Sequence, residues 1–302
     1  LVISCPCALV ISIPLSFFGG IGAASKCGVL IKGSNYLEAL AQTETVVFDK
    51  TGTLTKGVFA VTEIVPEGNI PASELLEIAA HLEAYSSHPI AVSIKKAYGK
   101  NPDLNRVSKV NDCFGKGVCG NFDNDEIVLG NAQIMIDKGV KVPAVQSACT
   151  VIYVLKNGKY QGYLRIEDEI KQDSAAAIQQ LKNLGVAQTV MLTGDRKITA
   201  QNVAQKLALD NFYAELLPAD KVRKFEELLG AKTQKGKVLF VGDGINDAPV
   251  LARSDIGVAM GGVGSDAAIE AADVVIMTDE PSKIAKAVEI SKKTLRLVHE
   301  NV

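Results

Sequence analysis

The sequence predicts an α/β protein whose main sheet is parallel and doubly wound, with a second domain inserted into it. The first observation is a set of short apolar runs, at residues 45–48, 189–192 and 238–241, each of which leads within two residues to an acidic or hydroxyl side chain. Such runs are typical of strands buried on both faces of a parallel sheet. The second observation is that helix-forming stretches separate these runs after residue 162, as βα units require. The third is that residues 59–161 lack this repeat, which indicates an inserted domain.

Length and composition restrict the class of protein. The chain has 302 residues, of which 47% are hydrophobic, and a formal net charge of −2. This length predicts about two domains. The near-neutral charge, the absence of Trp and the few aromatic residues argue against a nucleic-acid partner. The six Cys do not make a secreted disulfide framework, so we interpret Cys27, Cys113, Cys119 and Cys149 as reduced thiols.

The amino-terminal residues 1–27 predict a transmembrane helix. Residues 1–25 contain no charged side chain and satisfy the length criterion for a membrane span. Within this span Cys5 and Cys7 flank Pro6, which breaks the helical hydrogen bonds and frees backbone groups for a ligand. Two thiolates suit a soft or borderline ion such as Zn²⁺, Cd²⁺ or Cu⁺, whereas a kinked helix with two inert thiols would have the same sequence.

Two segments are predicted to connect the membrane to the catalytic domains. Residues 28–42 carry Leu37, Leu40 and Ala41 at helical spacing, so we expect a stalk with a short amphipathic helix. Residues 281–302 have a basic amphipathic pattern that we interpret as a second stalk helix. A plain linker for the first segment, and a membrane-surface or calmodulin-binding helix for the second, would fit the same residues.

The inserted domain, residues 59–161, is predicted to be α+β. Alternating apolar residues over 58–65 predict a strand, and helices are predicted from Ser73 and over 90–98. Asn157-Gly158 lies between two apolar runs, which is a strong signal for a type I′ hairpin. We expect this hairpin to close the domain.

The most informative stretch is residues 48–55, Phe-Asp-Lys-Thr-Gly-Thr-Leu-Thr. Asp49 is expected at the carboxyl end of a buried strand, where ligands bind in open α/β sheets. A carboxylate there can attack a phosphoryl group and form an aspartyl-phosphate, while Gly52 allows a tight turn. A lone Asp in this position would more often be a solvated acid, but five specified residues in register favour the nucleophile.

This octet resembles the phosphorylation motif of P-type ATPases, and nearly the whole chain carries that family's other motifs in order. The Cys-Pro-Cys of residues 5–7 resembles the intramembrane metal site of the heavy-metal branch. The resemblance implies a phosphorylation domain of haloacid dehalogenase type over residues 43–58 and 162–280, and a nucleotide-binding domain over residues 59–161. It also implies an integral cell-membrane protein with cytoplasmic catalytic domains.

Phosphoryl transfer requires further residues from the loops that follow neighbouring strands. Asp243 and Asp247 lie beside glycines past a predicted strand and suit Mg²⁺ together with Asp49, and the resemblance adds the backbone carbonyl of Thr51 as a ligand. The resemblance assigns the remaining catalytic positions to Lys221, Thr193, Asp195 and Asn246. A plain turn around Thr193 and a solvated lysine at Lys221 are the alternatives.

Nucleotide binding is predicted in the inserted domain. The chain has no Gly-rich loop followed by Lys-Ser or Lys-Thr, so ATP must bind in a different kind of pocket. An ordered set of residues resembles the adenine pocket of the heavy-metal branch: Glu83, His88, Gly115, Gly117, Gly130 and Asn131. Glycines permit close approach of backbone to a flat ligand. A lone His before Pro is usually a surface residue, so this prediction depends on the ordered set.

Several functions are compatible with some of these residues. The first is the catalytic portion of an ATP-driven pump for Zn²⁺, Cd²⁺ or Pb²⁺, and a Cu⁺ or Ag⁺ pump is its alternative. A soluble phosphatase of haloacid dehalogenase type would carry a second Asp where this chain has Thr51, which does no acid–base work at neutral pH. A non-catalytic binding module is disfavoured by the intact set of Asp49, Lys221 and Asp243.

The metal and the missing partners are inferred from the amino-terminal residues. Residues 8–14, Ala-Leu-Val-Ile-Ser-Ile-Pro, look closer to the zinc/cadmium/lead branch, since copper pumps usually have Gly in place of Val10. Ile13 departs from the Thr common to both branches. The sequence does not start with Met and has no Thr-Gly-Glu motif, which in this family belongs to the actuator domain. We therefore expect an actuator domain and other membrane helices elsewhere in the protein. One of those helices is expected to direct an Asp toward Cys5 and Cys7.

Overall fold

A computed structural model of the protein describes residues 8–113, 116–143, 145, 149–243, 247–261 and 266–300. The chain divides into two compact units. The first unit comprises Leu1–Gly57 and Ile170–Val302, and the second comprises Val58–Glu169. The second unit is therefore continuous in sequence and interrupts the first.

The described residues form a series of β-strands and α-helices. The strands are β1 (Val29–Ile31), β2 (Thr43–Asp49), β3 (Thr55–Pro66), β4 (Val107–Cys113), β5 (Gly117–Phe122), β6 (Asp125–Gly130), β7 (Thr150–Lys156), β8 (Lys159–Ile170), β9 (Gln188–Leu192), β10 (Asn211–Tyr213), β11 (Lys237–Gly242), β12 (Ile256–Met260) and β13 (Val274–Ile276). The helices are α1 (Ile13–Lys26), α2 (Ser34–Ala41), α3 (Ala72–Leu82), α4 (Pro89–Tyr98), α5 (Ala132–Asp137), α6 (Ser174–Asn183), α7 (Lys197–Lys206), α8 (Pro218–Gly230), α9 (Ala248–Leu251), α10 (Asp266–Ala271) and α11 (Ser282–Glu300).

The first unit is built on a seven-stranded sheet with the order β1-β13-β12-β11-β2-β9-β10. Every pair of neighbours is parallel except β1 and β13, which are antiparallel. The strand β2 occupies the interior of the sheet, between β11 and β9. The predicted doubly wound parallel sheet is confirmed.

Side chains of this sheet alternate between two hydrophobic layers. In β2, Val46 and Phe48 pack into one layer and Val47 into the other, and all three are fully buried. This is the period-two alternation of a strand covered on both faces. The first layer includes residues of α1, α2, α6, α7 and α11, and the second includes residues of α8 and α9. The carboxyl end of β2 is therefore held firmly by packing on both sides.

The amino-terminal segment begins with π-helical hydrogen bonding over Ala8–Ser12 and continues as α1. In the part of the chain that the structure describes, no helix is both long and apolar enough to cross a membrane. The membrane helix predicted over residues 1–27 is thus not shown, and Cys5 and Cys7 lie outside the described residues. Helix α1 packs against α2 and α11.

The residues predicted to form stalks take part in the packing of the first unit. Residues 28–42 contain β1 and α2, and β1 pairs with β13 at the edge of the sheet. Leu37 and Leu40 of α2 are fully buried, in agreement with their helical spacing. Helix α11 covers residues 282–300 and buries Ile284 and Val288 against the same core.

The second unit is a six-stranded sheet with the order β3-β8-β7-β6-β5-β4. The strands from β4 to β8 pair antiparallel in succession. Helices α3 and α4 cover one face, around Ile78 and Ile94, while α5 covers the other face, around Met135. This α+β arrangement gives the second unit a hydrophobic core of its own.

The hairpin between β7 and β8 has the predicted turn. Asn157 and Gly158 have φ of 51° and 72°, which is the left-handed region that a type I′ turn needs at both central residues. The hairpin prediction is confirmed. Strand β8 continues to Ile170, beyond the domain boundary expected at residue 162, and it is paired with β7 as far as Ile166.

Candidate active site

Asp49 is the last residue of β2 and lies at the carboxyl edge of the parallel sheet. Its register neighbour is Leu192 of β9, and the preceding Phe48 pairs with Val241 of β11. Because parallel strands end at the same edge, the loops after β9 and β11 flank Asp49. Asp49 is only 6% exposed, so its carboxylate interacts strongly with nearby charges.

Three carboxylates meet at this edge. One oxygen each of Asp49, Asp243 and Asp247 lies within 4.8 Å of the others. Asp49 and Asp247 are buried and Asp243 is half-buried. Gly242 makes room for this arrangement, since a Cβ there would press on the Asp247 side chain. A compact set of oxygen donors with excess negative charge is the chemistry that Mg²⁺ prefers.

Lys221 brings a positive charge to the carboxylates. Its Nζ donates a hydrogen bond to Oδ1 of Asp49 at 2.5 Å and lies 3.5 Å from Oδ1 of Asp247. Lys221 lies in the first turn of α8, where the Asp220 carboxylate accepts from the backbone N–H of Leu217 at 3.3 Å. This local bond fixes the start of the helix and hence the position from which Lys221 extends.

The charges in the site are unbalanced. Burial raises the pKa of Asp49 to about 7, Asp247 adds to the rise, and Lys221 opposes it. Burial and Asp247 likewise raise the pKa of Asp243 to about 6, against the opposing charge of Lys171. Burial alone would lower the pKa of Lys221, but Asp49 and Asp247 outweigh it and raise the pKa. A divalent cation among the carboxylates would relieve their mutual repulsion.

The loop Lys50–Leu54 follows Asp49, and its conformation depends on Gly52. Gly52 has a φ of +74°, and a Cβ at this position would overlap the carboxylate of Asp243. Thr55 closes the loop, because its backbone N–H and its hydroxyl both donate to the Lys50 carbonyl. Thr51, the predicted carbonyl ligand, has an exposed side chain in the middle of the loop.

The loop after β9 lies beside the same segment. Oδ2 of Asp195 is 2.5 Å from Nζ of Lys50, whose side chain is 6% exposed. The hydroxyl of Thr193 accepts a hydrogen bond from the backbone N–H of Asp195 at 3.1 Å. Sequence reasoning did not single out Lys50, although a charged residue inside a buried octet was a signal. Asn246 lies outside the described residues.

In the second unit, three of the residues predicted to bind nucleotide lie together. Gly117 of β5 pairs with Gly130 of β6, and Asn131 follows directly and caps α5 with its side-chain oxygen. A Cβ on Gly117 would overlap the carbonyl of Leu129, and one on Gly130 would overlap the carbonyl of Lys116. Both glycines are therefore required for the close approach of these two backbones.

Glu83 and His88 lie between α3 and α4. Glu83 is 8% exposed, and burial raises its pKa while the charge of His88 opposes the rise. His88 caps α4, since its Nδ1 accepts from the backbone N–H of Ile90 at 3.2 Å, and the residue is exposed. Asp112 of β4 also raises the pKa of Glu83, so Glu83 lies near the strand that leads to Gly115. Gly115 itself lies outside the described residues.

Comparison with known proteins identifies the family. The family model for haloacid dehalogenase-like hydrolases matches residues 43–255. The crystal structure of a zinc-transporting PIB-type ATPase in the E2.Pi state superposes with a TM-score of 0.86 at 35% identity, covering 98% of this chain and 49% of that chain. The chain belongs to the P-type ATPases of the haloacid dehalogenase-like hydrolases.

Further relatives of this P-type ATPase chain include a longer transporting ATPase and a catalytic domain. The cadmium, zinc and cobalt-transporting ATPase of Bacillus subtilis (strain 168) is 54% identical over 302 residues, which are 100% of this chain and 43% of that protein. The chain therefore spans less than half the length of this relative. The catalytic domain of the CPx-ATPase CopB-B matches with a TM-score of 0.65 at 30% identity, covering 89% of this chain and 98% of that one.

Proposed function

We propose that this P-type ATPase chain is the catalytic part of a membrane pump that uses ATP to export Zn²⁺, Cd²⁺ or Pb²⁺ from the cytosol. The observation that carries the proposal is the buried Asp49 carboxylate at the end of a central strand, paired with Lys221 and adjacent to two further carboxylates. The names of the relatives support zinc and cadmium as transported ions. The pump would include an actuator domain and other transmembrane helices and would lie in the cell membrane, with the catalytic units in the cytoplasm.

The proposed reaction is transfer of the γ-phosphoryl group of ATP to Asp49. A carboxylate oxygen of Asp49 forms a bond to phosphorus while the bond between phosphorus and the ADP oxygen breaks, and ADP leaves. Lys221 stands 2.5 Å from Oδ1 of Asp49, so it opposes protonation of the nucleophile. The same ammonium is close enough to pair with the transferred phosphoryl oxygens. The hydroxyl of Thr193 would donate a further hydrogen bond to them.

The carboxylates fit a Mg²⁺ ion. Asp49, Asp243 and Asp247 would hold it, with the backbone carbonyl of Thr51 as another oxygen ligand. Their fit rests on the clustering of hard oxygen donors within 4.8 Å and on their uncompensated charge. When bound, Mg²⁺ supplies the charge that offsets repulsion between the carboxylate and the γ-phosphate. Gly52 and Gly242 keep two of the donors in place by leaving room for their carboxylates.

Persistence of the aspartyl-phosphate distinguishes a pump from a phosphatase. A phosphatase of this superfamily needs an acid two residues after the nucleophile to transfer a proton during hydrolysis. Thr51 occupies that position, and its hydroxyl does not titrate near neutral pH. The intermediate would then hydrolyse slowly by itself and last through a conformational change, as a pump requires.

The identity of the metal is tested by stimulation of ATP hydrolysis in the full-length protein. Zn²⁺ or Cd²⁺ is expected to stimulate hydrolysis, because two thiolates and one carboxylate form a set of donors suited to a divalent ion. Cys5 and Cys7 would be the thiolates, and an Asp on another membrane helix the third ligand. Cys5→Ser with Cys7→Ser should remove the stimulation, whereas Cys149→Ser is the control and should retain it. Stimulation by Cu⁺ or Ag⁺ alone, at matched free-metal concentrations, would reassign the cargo.

The nucleotide pocket is tested on the isolated second unit, residues 58–169. His88→Gln is expected to weaken ATP binding about tenfold, the effect of losing one direct contact. Calorimetry with ATP measures the affinity. His88 also caps α4, so His88→Asn is the matched control, because Asn is a good N-cap without an imidazole ring. Weakening in both variants supports contact with the adenosine, and unchanged affinity in both would mean that the pocket lies elsewhere.

Gly117→Asp is a second variant for the same pocket. It should also weaken binding, but a Cβ at Gly117 would overlap the Leu129 carbonyl, so it disturbs the strand pair as well. The His88 pair of variants therefore gives the cleaner result.

A further inference from the structure

Lys171 is a buried lysine that the proposed reaction does not use. It is the second residue of the first unit after the chain returns from the inserted unit. Its side chain is only 4% exposed. A buried ammonium is stable only when its charge is paired and its N–H groups are hydrogen-bonded. The identity of its partners therefore matters.

The partners of Lys171 belong to two different segments. Its Nζ donates to the backbone carbonyl of Gly52 at 2.5 Å and to Oδ1 of Asp279 at 2.6 Å. Its own backbone N–H donates to the carbonyl of Leu54 at 3.1 Å. Lys171 thus holds both the middle and the end of the loop that follows Asp49. Its counter-ion Asp279 lies just before α11.

The residues that follow Lys171 strengthen the same connection. The hydroxyl of Ser174 donates to the Leu54 carbonyl at 2.8 Å. The carboxylate of Asp173 accepts from the backbone N–H of Ser282, the first residue of α11, at 2.8 Å. The segment 171–174 therefore joins the loop to the start of α11 through several hydrogen bonds.

Lys171 and Asp243 approach Gly52 through different atoms. Lys171 holds the carbonyl oxygen, whereas Asp243 packs where a Cβ of Gly52 would be. The positive charge of Lys171 also opposes the rise that burial produces in the pKa of Asp243. Lys171 therefore restrains the backbone of the loop at Gly52, and it also lies close enough to Asp243 to favour the charged form of that carboxylate.

We propose that Lys171 is a positioning residue for phosphoryl transfer, which fixes the backbone of Gly52 so that the loop offers the Thr51 carbonyl and leaves room for Asp243. Asp279 is its counter-ion. The residue acts through the loop and does not touch ATP. This inference rests on the proposed function, phosphorylation of Asp49.

The test uses the full-length protein and two measurements. Phosphoenzyme formation from ATP is followed as a function of Mg²⁺ concentration. Lys171→Met is expected to raise the half-maximal Mg²⁺ concentration roughly tenfold, as for loss of a charge-assisted hydrogen bond. Lys171→Arg should raise the half-maximal Mg²⁺ concentration much less, because it keeps the charge and the N–H donors. Hydrogen exchange of the amides of residues 50–54, without Mg²⁺ or ATP, should be faster in Lys171→Met than in the wild type.

Lys232→Met is the matched control. Lys232 is a partly buried lysine of the same unit, and its Nζ lies 2.5 Å from Asp255. This pair lies at the amino-terminal edge of the sheet, because Asp255 also accepts from the backbone N–H of Val238 at the start of β11. Lys232→Met should lower thermal stability without changing the Mg²⁺ dependence or the exchange of the loop amides.

Asp279→Asn provides a second variant in case Lys171→Met does not fold. It removes the counter-ion and leaves Lys171 in place, so a smaller shift of the same sign is expected. The inference is overturned if the folded variants keep the wild-type Mg²⁺ dependence and loop exchange, or if Lys232→Met changes them equally. Failure of the wild-type protein to form any phosphoenzyme would instead overturn the proposed function, and loop exchange would still report on Lys171.

Discussion

Asp49→Asn is expected to abolish phosphoenzyme formation from ATP in the full-length protein. The amide has nearly the shape of the carboxylate but is not a nucleophile, so we expect a loss of at least about 10³-fold. The substitution also removes one of the three carboxylates whose oxygens lie within 4.8 Å of one another. Acid-stable, hydroxylamine-labile labelling from ATP is the measurement.

ATP binding should remain nearly intact in Asp49→Asn, because the predicted adenosine pocket lies in the second unit. Asp255→Asn is the control substitution, since Asp255 pairs with Lys232 at the opposite edge of the sheet and should affect stability rather than labelling. Steady-state labelling that persists in Asp49→Asn would rule out Asp49 as the nucleophile.

Gly52→Ala should reduce phosphoenzyme formation by roughly 100-fold or more, the range typical of a misplaced catalytic group. The new Cβ would overlap the carboxylate of Asp243, and the φ of +74° is itself unfavourable for alanine. Either the loop or Asp243 must move, and each movement separates donor oxygens from Asp49. Single-turnover labelling from ATP at saturating Mg²⁺ measures the effect.

Gly57→Ala separates the overlap from backbone strain. Gly57 also has a positive φ, of +66°, but a Cβ there would have nothing closer than the Gly52 backbone nitrogen at 3.5 Å. It should cost about 1 kcal/mol of stability and leave labelling largely unchanged. Equal loss of labelling in the two variants would mean that strain, and not the room left for Asp243, explains the Gly52 result.

The sequence predicts the main sheet well because its strands are buried on both faces. The apolar run that ends in Phe48 has to be apolar at every position, so it is recognisable without any partner. Strand β1 was missed, because Val29–Ile31 is short and its pairing with β13 depends on residues near the other end of the chain. A local pattern carries no information about such a partner.

Some residues of the site can likewise be recognised from the local sequence, and others depend on distant partners. Asp49, Asp243 and Asp247 follow directly from strand ends, and parallel strands bring their carboxyl ends to one edge. Lys171 has no comparable local signal, since its partner Gly52 is 119 positions away. Its proposed role rests on its burial and on the carbonyl that it reaches, and both are properties of the folded chain.

The interruption of the first unit by the second determines an order of assembly. Residues 58–169 are continuous and can reach their fold as soon as they are synthesised. Strand β2 has to wait, because its neighbours β9 and β11 both lie after the inserted unit in the chain. During that interval Val46, Val47 and Phe48 are an apolar segment without its sheet neighbours, and exposed apolar segments of this kind are prone to misassembly. The carboxylate of Asp49 meets Lys221 only when the chain has been made as far as α8.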